Sequence, residues 1–271
     1  MQASRVAIAV LALRPDARQV QFYETLADYG YSVFAFTDDD DFVIPPSRHA
    51  TYLKIDKQTC VNRGYFLLNP MITMTRNVLV SAWERALCFF GMNHRKFDHV
   101  WFLEDDVFIP RAGTIRRIDR QNPDADLLCG ATRVNHFGEL KSWEWWKWVP
   151  KELLPLPWAC ALVCASRVSG RLLAKVDRLV VDSARLRMND YRLILEKRGP
   201  DKFLFIEFLF NTLALHHKFK VAHPPEFSTV LFNRPWRLDE IDDLRIYHPV
   251  KAINEHDAWR EHLASKRERA G

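Results

Sequence analysis

The feature that most constrains this chain is a set of apolar runs in its first 110 residues that lack an alternating polar face. Residues 6–13 are apolar throughout and stop at Arg14-Pro15, and 31–36 and 98–103 are nearly as uniform. A strand with one wet face alternates with period two, whereas a strand covered on both faces does not. Between these runs, 17–29 and 74–90 carry apolar residues at helical spacing, with Gly30 and Gly91 just past their ends as helix-stopping residues. A shorter strand is predicted over 51–55. The alternation predicts an α/β fold with a central, mainly parallel twisted sheet flanked by helices. In such sheets ligands bind beyond the carboxyl ends of the strands. Two acidic clusters, 38–41 and 104–106, fall at that edge.

The second half is less regular. Strands are predicted at 125–130 and 159–164, helices at 167–179, 188–198 and 202–217, and short strands at 219–222, 227–231 and 244–247. No internal repeat, low-complexity segment or linker interrupts the chain, so residues 1–271 read as one domain. Lysine and arginine exceed aspartate and glutamate by 39 − 34 = 5, and the pI is about 9.0. That balance suits a phosphorylated small molecule, but no block of five or six basic residues marks a nucleic-acid surface. The five cysteines are odd in number and form no CxxC pair, which argues against structural zinc or a disulfide framework. Residues 6–13 are too short for a membrane span and lack a cleavage site. The expectation is a reduced, cytoplasmic chain with no membrane span.

The strongest chemical signal is Val100-Trp101-Phe102-Leu103-Glu104-Asp105-Asp106, followed by the apolar Val107-Phe108-Ile109. A buried strand delivers three adjacent carboxylates to its end, and mutually repelling acids need positive charge nearby. Hard oxygen ligands suit Mn²⁺ or Mg²⁺, with substrate phosphates completing the shell. About 140 residues further on, Tyr247-His248-Pro249-Val250-Lys251 closes the last predicted strand with an imidazole and an ammonium group. Glu207 is the only charge in the run 203–210, and an isolated carboxylate among apolar neighbours is costly unless it is paired or neutralised. It reads either as a general base with a raised pKa or as the partner of a buried arginine from 185–198.

The Glu104-Asp105-Asp106 segment resembles the DxD-type motif of nucleotide-diphospho-sugar transferases of the GT-A fold, in its LEDD form. The resemblance implies a Rossmann-like GT-A domain, with a nucleotide-binding half (1–110), an acceptor-binding half (111–254) and a C-terminal tail (255–271). It implies Asp106 and His248 as metal ligands, Glu104 and Asp105 facing ribose and sugar, and Lys251 on the diphosphate. It also implies Asp38 or Asp39 at the nucleoside, with Arg76 near the nucleotide at the start of the 74–90 helix. Residues 206–213 resemble the segment bearing the catalytic glutamate in the core-2 N-acetylglucosaminyltransferase and peptide O-xylosyltransferase family. That family works without a metal, so only the role of Glu207 as base is carried over. Trp143, Trp145 and Trp146, in a stretch with four tryptophans in six residues, are candidate acceptor platforms.

The expected activity is metal-dependent transfer, with inversion, from a UDP-sugar such as UDP-xylose, UDP-GlcNAc or UDP-Gal to a glycan or glycoprotein hydroxyl. Two other readings stand beside it. A nucleotidyl or phosphoryl transferase would use the same acids, but Leu13-Arg14-Pro15-Asp16 is no glycine-rich phosphate loop. A non-catalytic carbohydrate-binding module would need the tryptophans but neither the acids nor Glu207.

Overall fold

The computed structural model describes residues 5–15, 17–43, 46–76, 78–195 and 202–270. Val6–Ala12 forms β1, and its register explains the unbroken apolar run. Ala7, Ala9 and Leu11 point into one core, while Ile8 and Val10 point into another on the opposite face. Helix α1 (Ala17–Ala27) ends before Gly30, whose φ of +89° lies in the left-handed region that glycine enters without strain. Strands β2 (Ser32–Thr37) and β3 (Ala50–Tyr52) then add outward in parallel from β1. Helices α2 (Lys57–Asn62), α3 (Pro70–Arg76) and α4 (Ala82–Met92) lead back to β4 (His99–Glu104), parallel to β1 on its other side.

The chain continues through α5 (Ala112–Gln121), β5 (Leu127–Leu128), β6 (Arg133–Asn135), β7 (Trp158–Cys160) and β8 (Ala165–Ser169). Helices α6 (Gly170–Leu195) and α7 (Ile206–His216), strand β9 (Val221–Ala222) and helix α8 (His256–Ala270) follow. The main sheet runs β3-β2-β1-β4-β8-β5-β9, and only β8 lies antiparallel to its neighbours. The protein is therefore α/β, with a mostly parallel seven-stranded sheet between helices. Strand order reverses between β1 and β4, which leaves a crevice at their carboxyl ends. No helix among the described residues is long and apolar enough to cross a membrane.

Several local expectations are corrected. The pattern over 74–90 predicts one helix, but the chain forms α3 and α4. Ser81 starts the second of these: its hydroxyl accepts from Trp83 N, and Glu84 reaches back to Ser81 N in a capping box. Arg76 therefore ends a short helix instead of opening the long one. The two helices expected over 167–198 are one continuous helix to Leu195, and residues 196–201 lie outside the described residues. The strand expected at 159–164 divides. Its first part, β7, pairs with β6 in a separate ribbon, and the chain rejoins the main sheet only as β8. Helix α7 begins at Ile206 with Phe205 as N-cap, and the expected cap Asp201 lies outside the described residues. The C-terminal tail is a helix, held by Trp259 and Leu263 against Phe108, Tyr247 and Val250.

Candidate active site

A cleft of about 330 Å³ opens where the crevice between β1 and β4 predicts one. The turn after β4 closes through Val107 N donating to Glu104 O (3.1 Å), which leaves Glu104, Asp105 and Asp106 half-buried along the cleft. Sequence distance is bridged by backbone pairing. Phe108 and Tyr247 exchange N–H···O bonds of 2.8 and 3.0 Å, and Val250 N donates to Asp106 O at 2.8 Å. The segment carrying His248 is thereby fixed beside the acids. His248 is itself clamped: its N–H donates to Thr229 O, and its carbonyl accepts from Leu231 N and Trp236 Nε1.

Glu104, Asp106 and His248 each offer one ligand atom, and these atoms all lie within 4.8 Å of one another. His248 Nδ1 sits 3.0 Å from Leu231 O, a carbonyl that can only accept, so Nδ1 carries the hydrogen. Nε2 then faces Asp106 Oδ1 at 3.3 Å. In the neutral ring, two acceptors would confront each other there, so either a proton or a metal cation must lie between them. Asp106 Oδ1 is buried with no well-directed hydrogen bond, as a waiting ligand oxygen would be. Lys251 Nζ approaches Asp106 Oδ2 at 3.6 Å from an exposed position. The donor set of carboxylate oxygens and one imidazole, with its far nitrogen held by a carbonyl, fits Mn²⁺ or Mg²⁺.

Electrostatics agree with the geometry. Burial pushes the Glu104 carboxyl up to about 7, aided by the charge of Asp106, although Trp83 Nε1 donates to it at 2.6 Å. Burial also raises Asp106, but the close approach and charge of His248, and then Lys251, outweigh it and hold that carboxyl below its ordinary value. For His248, burial works against the proton, yet Asp106 and Glu104 win and lift it above 6.5.

Glu207 lines the same cleft from the first turn of α7. Burial pushes its carboxyl up to about 8, with a smaller contribution from Glu104. Among the described residues no cation pairs with it and none donates a hydrogen bond to its carboxyl, so the arginine-partner alternative finds no support there. Asn211, one turn on, is occupied instead by Thr132 and the carbonyl of Glu207.

The other candidates separate. Asp38 lines the cleft, and its Oδ1 accepts from Ala82 N at the start of α4 (2.5 Å). Asp39 does not reach the wall: Arg14 Nε bonds its Oδ2 at 2.6 Å and Asp41 N its Oδ1. The Arg76 side chain lies outside the described residues. The tryptophans stand behind the cleft. Trp146 is 1% exposed and stacks on Trp158, while Trp143 and Trp145 pack against Phe205, which does line the cleft. Sequence reading missed Asn69, Trp83 and Phe232 among the lining residues. Only Trp83 carried a signal, as the third residue of the Ser81-Ala82-Trp83-Glu84 capping sequence. No protein-family model matches the chain, and no curated protein matches it in sequence.

Proposed function

We propose that this chain is a metal-dependent glycosyltransferase of the GT-A type, moving a hexosyl or pentosyl group from a UDP-sugar to a glycan or protein hydroxyl. The observation that carries the reading is one cleft holding a carboxylate–imidazole ligand set and, apart from it, a glutamate with no partner among the described residues. A divalent cation bound there would neutralise charge on the leaving diphosphate. Asp106, Glu104 and His248 would hold it, and Lys251 would place its charge on the phosphates. Asp38 and the end of β1 would face the nucleoside. Glu207, ionised, would take the proton of an acceptor hydroxyl as that oxygen forms a bond to the anomeric carbon and the nucleoside diphosphate leaves. Attack from the face opposite the leaving group inverts the anomeric configuration. Five free, buried thiols fit a reducing cytoplasm as the place of action.

The deciding experiment measures UDP release and glycoside formation from a panel of UDP-sugars, with Mn²⁺ or with chelator. Turnover that appears with Mn²⁺ and vanishes with chelator supports the reading. Pyrophosphate release from a nucleoside triphosphate, with no UDP release, would replace it with nucleotidyl transfer.

A further inference from the structure

Asn69 is a second polar group in the cleft whose position no structural need explains. The residue is 6% exposed and lines the cleft. It stands just before α3, where an asparagine ordinarily caps the helix. Here its carboxamide makes no hydrogen bond to any described residue. No protein group among the described residues occupies it, so its donor and acceptor face the cleft and are free to bond a ligand.

The backbone beneath it is held unusually firmly. The buried Glu84 carboxylate accepts from both Leu68 N (2.7 Å) and Asn69 N (2.9 Å). Ile206 N donates to Leu68 O at 2.9 Å, which sets Asn69 beside the start of α7 and so beside Glu207. Leu67, just upstream, has φ of +56°, a conformation that a leucine holds only when its surroundings impose it. The turn is rigid, and the carboxamide it presents is open to the cleft.

The chemistry of the surroundings selects the ligand. Carboxyl groups of Glu207, Glu104, Asp105 and Asp106 share this cleft, so an additional anion is disfavoured near Asn69. A carboxamide donates and accepts, as a sugar hydroxyl does. We propose that Asn69 is a specificity-determining residue that hydrogen-bonds a hydroxyl of the sugar being transferred, next to Glu207. This rests on the transferase reading. The ligand class is a neutral, hydroxylated ring carried on a nucleoside diphosphate.

The test compares calorimetric affinities for UDP and for UDP-glucose, UDP-galactose, UDP-N-acetylglucosamine and UDP-xylose, all with Mn²⁺. For the preferred sugar, Asn69→Ala should weaken UDP-sugar binding by about tenfold while leaving UDP within about twofold. The near-isosteric, uncharged Asn69→Leu, which neither donates nor accepts, should show the same selective loss with an unchanged melting temperature. An equal loss for UDP and UDP-sugar, or no loss for either, overturns the assignment even if the wild type binds UDP-sugars. A wild type that binds neither UDP nor any UDP-sugar with Mn²⁺ overturns the transferase reading, and this assignment with it.

Discussion

Replacing Glu207 by glutamine separates two consequences of its burial. The carboxyl is raised from 4.5 to about 8, chiefly by desolvation. At pH 7 the folded group keeps a proton that the unfolded group has lost, over a span of 7 − 4.5 = 2.5 pH units. At about 1.4 kcal/mol per pH unit, that costs the folded state roughly 3 kcal/mol. Relaxation and the group's opening to the cleft reduce this to about 1–3 kcal/mol. The sign follows from proton binding. A carboxyl raised on folding leaves the protein most stable below about 4.5 and costs stability progressively as pH climbs to about 8. Glutamine cannot ionise, so Glu207→Gln should remove that slope and raise the melting temperature at pH 7–8 by roughly 2–10 °C. The same change removes the base, so turnover should fall by about 10²–10⁴-fold with UDP affinity retained. In the wild type, turnover should rise with pH toward a plateau above about 8. Melting curves from pH 5 to 9, measured beside turnover and Mn²⁺-dependent UDP binding, test both halves. A variant that transfers sugar at near wild-type rate refutes the base. One that melts several degrees lower refutes the electrostatics and reveals a cation partner.

Other consequences are simpler. Asp106→Ala should abolish Mn²⁺-dependent UDP binding in calorimetry and lower the melting temperature only modestly, through loss of its contacts with His248 and Lys251; unchanged affinity would remove Asp106 from the ligand set. His248 must release its proton to ligate, and its pKa lies above 6.5, so Mn²⁺ affinity should rise with pH through and beyond that value. His248→Ala should bind the metal more weakly and with a shallower pH dependence, and a profile identical to wild type would return His248 to a structural role. Trp146→Ala should cost about 3–5 kcal/mol of stability, read by denaturant melts, and leave UDP-sugar affinity per folded molecule unchanged; selective loss of binding would restore the tryptophan to the ligand surface.

Much of the frame was legible because it depends on short-range pattern. Unalternating runs at β1, β2 and β4 marked strands covered on both faces, and the acids after Leu103 marked the end of one of them. The break between α3 and α4 was also written locally, in Ser81 and Glu84, but the helical period of the surrounding residues obscured it. Strand β8 was hidden for a different reason. Its residues, Ala165-Ser166-Arg167-Val168-Ser169, include a buried arginine that only Asp119 and distant carbonyls make tolerable. No local pattern announces such a partner.

The candidate site divides the same way. Residue type nominated Glu104, Asp106 and Glu207, since clustered or isolated charges in apolar surroundings are costly without a purpose, whereas His248 was nominated by the resemblance to GT-A transferases. Their meeting required the pairing of Phe108 with Tyr247 and of Asp106 with Val250 across about 140 residues, which no periodicity encodes. The tertiary structure also buried Trp146, packed Trp143, Trp145 and Trp148 against the core, and left Asn69 open to the cleft. An indole and a carboxamide carry no label for which way they face. Burial is set by what packs against them, and that is a property of the whole fold.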